Sequence, residues 1–279
     1  MGGSLQRPRW GLIALIPRGS RVVPACVALM LGLVASLAFG ELPAAASAIA
    51  KSAGLRAASP DSFPSAACSS YTGNAEFVCW VYEDLLGRTP DAPGLNYWLS
   101  ELSAGTTRTQ VAYSVITSTE SLTDYIEGDY EAFLGRAADA GGLSMWLQAF
   151  ESGQTAEQID AGILGSAEFY YKSGSTNSGF ISALYEQLLS RSPDSAGEST
   201  WNAVLSNGVS RSQVANDIDT SPEEWTDDVQ FNYQDFLGRA ADQAGLVGWV
   251  HALETGTTQQ QVIAAMLGSQ EFFNDATAS

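Results

Sequence analysis

The sequence predicts an all-α protein of four tandem helical repeats, arranged as two paired-repeat domains. Three observations carry that expectation. The pattern Tyr-x-x-(Leu or Phe)-Leu-(Gly or Ser)-Arg-x-x-Asp-x-x-Gly-x-x-x-Trp occurs four times, at residues 82–98, 130–146, 185–201 and 233–249. Its arginines, Arg88, Arg136, Arg191 and Arg239, are 48, 55 and 48 residues apart, a period that marks stacked supersecondary units. Apolar residues inside each unit fall at spacings of three and four, and no stretch alternates convincingly with period two, so no sheet is expected.

Each unit parses from its own residues. The first helix carries Tyr82, Leu85 and Leu86 on one face. Gly87, Gly135 and Gly238 follow the apolar pair as a C-terminal cap would, and Ser190 replaces this glycine in the third unit. Asp91, Asp139, Asp194 and Asp242 suit the N-cap of a second helix, whose carboxylate accepts free backbone N–H groups. Leu95, Trp98, Leu99 and Leu102 then form a core-facing stripe, matched by Leu143, Trp146, Leu147 and Phe150, and by Leu246, Trp249, Val250 and Leu253. The third unit places Glu198 and Asn202 in that stripe beside Trp201, so its core is poorer.

The second helix ends at Gly105, Gly153, Gly208 or Gly256. A capping box follows every time, as Thr107 with Gln110, Thr155 with Gln158, Ser210 with Gln213 and Thr258 with Gln261. A short third helix then stops at a Ser-x-Glu segment: Ser118 and Glu120, Ser166 and Glu168, Ser221 and Glu223, Ser269 and Glu271. That serine is read as the cap of a fourth short helix, with the glutamate near its positive end.

The longer middle gap has a visible cause, a Ser/Gly-rich stretch at residues 172–179 that supplies seven extra residues. The array therefore reads as two pairs offset by 103 residues. The expected organisation is a signal peptide at 1–48, a flexible Ala/Ser/Pro linker at 49–75, repeats 1 and 2 at 76–172, a Ser/Gly linker at 173–179 and repeats 3 and 4 at 180–279.

Residues 1–48 resemble an export signal. Arg7, Arg9, Arg18 and Arg21 supply a basic start, and residues 26–39 an apolar run too short to span a bilayer comfortably. Ala46-Ser47-Ala48 fits the small-x-small pattern, so cleavage is expected near Ala48, with an uncleaved membrane anchor as the alternative. Cys26 leaves with the signal. Cys68 and Cys79 remain, and two cysteines in an exported protein usually pair. Their bond would pin the segment before the array to the first helix.

The chain carries 31 acidic and 13 basic residues, a net of -18. Without residues 1–48 the balance is 30 acidic against 9 basic, or -21. Such a chain is repelled by nucleic-acid phosphates and by anionic lipid. No nucleic acid is expected as a partner, and no membrane after signal cleavage.

Chemistry-bearing constellations are sparse. His251, the one histidine, lies off the motif, on the polar side of a second helix. No Ser-His-Asp or Cys-His set can be assembled around it. No metal-ligand spacing is present, and the Arg-to-Trp loop offers one Asp where calcium needs six or more oxygens. Calcium therefore remains a weak expectation, by the acidic surface. The carboxylate pairs Glu83 with Asp84 and Glu223 with Glu224 do not recur as pairs, so a solvated helix face is the better reading. No cofactor and no catalytic residue is expected.

The repeated arginines admit two readings. They are forks for sulfated or acidic glycans, or each pairs with the Asp three residues on, or with the Ser-x-Glu carboxylate and the end of the first helix. The structural reading is favoured, because a very acidic chain offers its arginines carboxylates before ligands. The repeated tryptophans could stack on sugars. Their place in the Leu stripe argues for core.

The Leu-Gly-Arg-x-x-Asp-x-x-Gly-x-x-x-Trp core, here Leu86-Gly87-Arg88 through Asp91, Gly94 and Trp98 with Ser118 and Glu120, resembles a bacterial family catalogued as domain of unknown function 4214. The resemblance covers residues 77–275, with the third unit departing at Ser190, Glu198 and Glu224. The Leu-Gly-Arg core is also similar to that of phycobilisome linker domains, which are helical and join other proteins. The family resemblance implies an exported, often surface-associated protein and no established reaction. The expectation is a secreted, non-enzymatic interaction or scaffold module of the cell surface or extracellular matrix, with an unknown protein or a surface glycan as partner. A glycan- or calcium-dependent adhesive protein is the alternative, and a carboxylate-based hydrolase a distant one.

Overall fold

A computed structural model describes residues 68–277. The expected signal peptide and its cleavage site, and residues 49–67 of the expected linker, lie outside the described residues. Fourteen α-helices and no strand are present among the described residues. Repeat 1 comprises α1 (Asn74–Leu86), α2 (Ala92–Ser103), α3 (Arg108–Ile116) and the first turns of α4 (Thr119–Leu134). The rest of α4 opens repeat 2, which continues through α5 (Ala140–Glu151), α6 (Ala156–Leu164) and α7 (Ala167–Lys172). Repeat 3 comprises α8 (Asn177–Leu188), α9 (Ser195–Ser206), α10 (Arg211–Asp219) and the start of α11 (Pro222–Leu237). Repeat 4 takes the rest of α11, then α12 (Gln243–Glu254), α13 (Gln259–Leu267) and α14 (Gln270–Ala276).

The helix ends follow the sequence signals. Gly87, Gly135 and Gly238 adopt the left-handed conformation after α1, α4 and α11, with φ near 60°. Ser190 takes the same conformation at φ 52° and keeps the chain reversal at a steric cost that glycine avoids. Asp91, Asp139, Asp194 and Asp242 cap the second helices, each accepting from a glycine N–H at 2.7–2.9 Å. The capping box is reciprocal at Thr107–Gln110 and Thr258–Gln261. In repeat 3 it is half made. Ser210 accepts from Gln213 N–H, but the Gln213 side chain donates to Asp217 at 2.7 Å instead of returning to Ser210.

Two expectations about elements are corrected. The fourth short helix is separate only in repeats 2 and 4. At the other two boundaries nothing breaks the helix between Ser-x-Glu and the next Tyr, so the two segments fuse into the 16-residue helices α4 and α11. The second helices were expected to face the core, yet α2, α5 and α9 contain no fully buried residue. Their stripes lie against the edges of the cores, with Leu95, Trp98, Trp146, Leu147 and Trp201 partly buried.

The paired-repeat cores exist, but the pairing differs from the expected one. Repeats 1 and 4 share a core in which Val111, Val115 and Ile116 of α3 meet Val262, Ile263 and Leu267 of α13. Repeats 2 and 3 share the other, in which Ile159, Ile163 and Leu164 of α6 meet Val214, Ala215 and Ile218 of α10. The reason is the fused helix. A continuous α4 carries repeat 2 away from repeat 1, so its two ends feed different cores: Leu122 and Tyr125 the first, Ile126, Tyr130 and Phe133 the second. The chain folds back at the middle boundary, where the seven-residue insertion interrupts the same helix. The expected Ser/Gly linker is therefore a four-residue turn, 173–176, because residues 177–179 already belong to α8.

Residue 68 is tied to α1 by the Cys68–Cys79 disulfide, with both cysteines fully buried. Tyr125 of α4 donates its hydroxyl to the buried Asp160 carboxylate of α6 at 2.8 Å and so fixes α6 against the junction helix.

Candidate functional site

The recurring residues assemble one cluster in every repeat. In repeat 1 the Trp98 indole N–H donates to the Tyr82 hydroxyl at 3.0 Å. The Arg88 guanidinium lies 5.2 Å from the Tyr82 ring centroid and donates Nε and Nη2 to the two Glu120 oxygens at 2.7 and 2.6 Å. Its remaining Nη1 donates to the Thr89 carbonyl at 3.1 Å. The same fork joins Arg136 to Glu168, Arg191 to Glu223 and Arg239 to Glu271, always 32 residues apart. The Trp-to-Tyr bond recurs from Trp146 to Tyr130 at 3.2 Å and from Trp201 to Tyr185 at 3.1 Å. Trp249 makes the equivalent bond to Tyr233.

The glycine of the motif completes the cluster by what it lacks. A Cβ on Gly245 would stand 2.3 Å from the Tyr233 hydroxyl, and one on Gly142 2.4 Å from that of Tyr130. Only a residue without a side chain lets the first turn of the second helix lie on the tyrosine.

This geometry decides between the alternatives left open for the arginines. The principal partner is the Ser-x-Glu carboxylate. The Asp three residues on is a secondary neighbour, at 3.7 Å for Arg136–Asp139 and 3.9 Å for Arg239–Asp242. The Arg136 fork holds the Glu168 carboxyl below the usual range, and Arg191 does the same to Glu223. Asp139 is held low chiefly by the Gly142 N–H it caps. Burial raises the Tyr82 and Tyr233 hydroxyls. The cluster is thus a bidentate ion pair, a cation over an aromatic face and an indole–phenol bond, a brace that ties three helices together.

The other basic groups are also engaged. Arg108 stacks over Phe273 and Arg211 over Tyr170, while Lys172 Nζ donates to the Leu134 carbonyl at the end of α4. Every Lys and Arg between residues 68 and 277 therefore has an internal partner. His251 is on the surface, 3.7 Å from Glu254.

The reading of Glu83 with Asp84 and Glu223 with Glu224 as solvated helix faces is corrected at two of the four residues: Glu224 is fully buried, and Asp84 is desolvated beside Asp235 of another repeat, a pairing the sequence did not reveal. Asp84 on α1 and Asp235 on α11 occupy the same place in repeats 1 and 4, two residues after the motif tyrosine. Burial, and then the Asp235 charge, push Asp84 well above the usual carboxylate range, and burial pushes Asp235 up to about 6. Repeats 2 and 3 carry Ala132 and Gln187 there. The signal becomes visible only once repeat 1 is known to pair with repeat 4. Among the described residues no three His, Cys, Asp or Glu side chains gather as metal ligands, and no helix is long and apolar enough to cross a membrane.

Five large apolar side chains are exposed among the described residues; Tyr171 on α7 is the most exposed, Val209 precedes α10, and the other three lie on second helices. Tyr97 on α2, Met145 on α5 and Val247 on α12 are each more than half exposed, and the Tyr97 ring meets Trp98 edge-on at 4.8 Å.

Fold and cluster together define a tandem-repeat helical protein whose recurring residues brace each unit. The family model described as a domain of unknown function (DUF4214) matches residues 59–124, 121–172, 161–228 and 226–276, and the chain belongs to that family. Nothing among curated proteins or solved structures matches the chain.

Proposed function

We propose that the chain is a secreted, non-enzymatic interaction or scaffold module of the cell surface or extracellular matrix. The observation that carries this reading is the engagement of every cationic side chain of residues 68–277 inside the fold. What is left for a partner is an acidic surface with exposed apolar side chains, Tyr97, Met145 and Val247 on the second helices, with Tyr171 and Val209 elsewhere. A surface of that kind suits a partner with basic and apolar groups, and it repels phosphate backbones. The motif arginines that would serve anion capture are occupied by the Ser-x-Glu carboxylates in the braces.

The test is retention of envelope proteins by the immobilised chain, compared with a variant carrying Tyr97→Ser, Met145→Ser and Val247→Ser. Specific retention by the native chain and its loss in the variant are expected. Equal retention by both, or none above that of an unrelated acidic protein, overturns the reading. The runner-up, calcium- or glycan-dependent adhesion, is favoured by the net charge alone. A saturable heat of calcium binding in a calorimetric titration would move the reading to it.

A further inference from the structure

One interface is used twice between the halves of this chain. In the first use, Arg108 at the start of α3 lies 3.5 Å from the Phe273 ring centroid, and its Nη1 donates to Gln270 Oε1 at 3.3 Å. In the second, Arg211 at the start of α10 lies 4.2 Å from the Tyr170 ring centroid, and its Nε donates to the Gly165 carbonyl at 3.4 Å. The close backbone approaches between the halves repeat as well. A Cβ on Gly268 would fall 2.5 Å from the Thr109 backbone nitrogen, and one on Gly165 2.6 Å from that of Ser212. Each correspondence, 108 with 211, 109 with 212, 165 with 268 and 170 with 273, is the same shift of 103 residues.

Each half therefore carries both sides of the contact. Its odd repeat offers an arginine followed by a small hydroxyl residue at the start of the third helix. Its even repeat offers a glycine at the end of the third helix and an aromatic on the helix after it. Such a face is close to isologous: each half meets the other through equivalent positions in the antiparallel sense.

The turn between the halves decides where the matching copy comes from. At the two other boundaries the helix runs through, as α4 and α11. Here α7 stops at Lys172, Gly174 and Ser175 turn left-handed at φ 92° and 56°, and Thr176 caps α8. Ser175 holds a conformation that disfavours a side chain, and a short strained hinge between two complementary units is the setting in which units exchange.

We propose that the face between the halves is a self-association surface whose partner is a second copy of this chain. The first half of one chain pairs with the second half of the other, and the turn at 173–176 selects between the closed chain and the exchanged dimer. Exchange preserves every contact described above and relieves the left-handed turn. The proposal stands independently of the interaction role suggested for the second helices.

Deleting residues 172–178 restores the 48-residue spacing and with it the run-through helix. The expected product has twice the mass of one chain by light scattering on an eluting column, with its helical circular dichroism retained. A folded monomer overturns the proposal. A second measurement applies if the shortened chain does not fold. Donor- and acceptor-labelled copies of the unaltered chain are opened together in denaturant, refolded at high concentration and then diluted. Energy transfer in a fraction of dimer mass is expected, and it should vanish when both copies carry Arg108→Glu and Arg211→Glu. Refolding only to monomer at every concentration overturns the proposal.

Discussion

At the scale of single residues, the repeat is legible because each recurring side chain has a packing duty. Arg88 illustrates the balance of effects. Its pair with Glu120 is bidentate, and its guanidinium also covers Tyr82, but the two charged side chains remain 39% and 44% exposed. Solvent screens a pair of that exposure, so the Arg88→Ala variant should lose about 1 kcal/mol, well short of the loss expected for a buried pair. Chemical denaturation checks this, and a loss of several kcal/mol would mean that the brace is more buried than described. The sequence identified the arginine and its candidate carboxylates. It left the choice of partner open, because Asp91 and Glu120 are equally charged and only the path of α3 and α4 brings the more distant one into reach.

The pH response is set by two groups of carboxylates. Glu168 and Glu223 are depressed by their arginines, so their stabilisation is present above the ordinary carboxylate range and is lost as pH falls through their lowered values. Asp84 and Asp235 act oppositely. Their folded values are raised, so the folded chain binds their protons more tightly than the unfolded chain does. Stability then falls as pH rises from the ordinary value near 4 to about 6. The two effects together place the maximum near the ordinary carboxylate range, at about pH 4 to 5. The Asp84→Asn variant should melt higher than the native chain at pH 7 and show a flatter profile between pH 4 and 7. Thermal melts across that range check it, and an unchanged profile would remove the pair from the account.

At the scale of elements, the caps and turns were the most readable features, because each depends on two or three neighbouring residues. The exceptions are informative. Ser190 keeps a left-handed turn that its three counterparts make with glycine. Ser190→Gly should raise stability by about 1 kcal/mol, measured by denaturation, since it removes a steric penalty of that order. Gly268→Ala should do the reverse. Its Cβ would press on the Thr109 backbone and force α3 from α13, for a loss of about 1–3 kcal/mol. An unchanged melt would mean that these helices do not approach as closely as described. The stripes of the second helices were readable as apolar but not as half-exposed. Periodicity shows that a face is apolar and carries no record of how deeply it is covered.

At the scale of the whole molecule, the number of repeats and the all-α class were written in local patterns, and the pairing was not. Pairing depends on whether a helix runs through a boundary, and the run-through of α4 sends repeat 2 to a different core from repeat 1. The signature was in the sequence in another form. Arg108 and Arg211 occur only in odd repeats, and Gly165 and Gly268 only in even ones, at a fixed 103-residue shift. An odd–even rule alone permits repeat 1 to pair with repeat 2 or with repeat 4, and it takes the helix boundary to choose.

The pairing of repeat 1 with repeat 4 can be tested by a short thiol cross-linker on two double variants of the dilute chain. Arg108→Cys with Gln270→Cys places thiols at a contact of the pairing described here. Arg108→Cys with Ala167→Cys places them at the equivalent positions of repeats 1 and 2, 103 residues earlier in the second partner. The first variant should cross-link efficiently within one chain, and the second should not cross-link. Cross-linking of 108 to 167 in place of 108 to 270 would contradict that pairing.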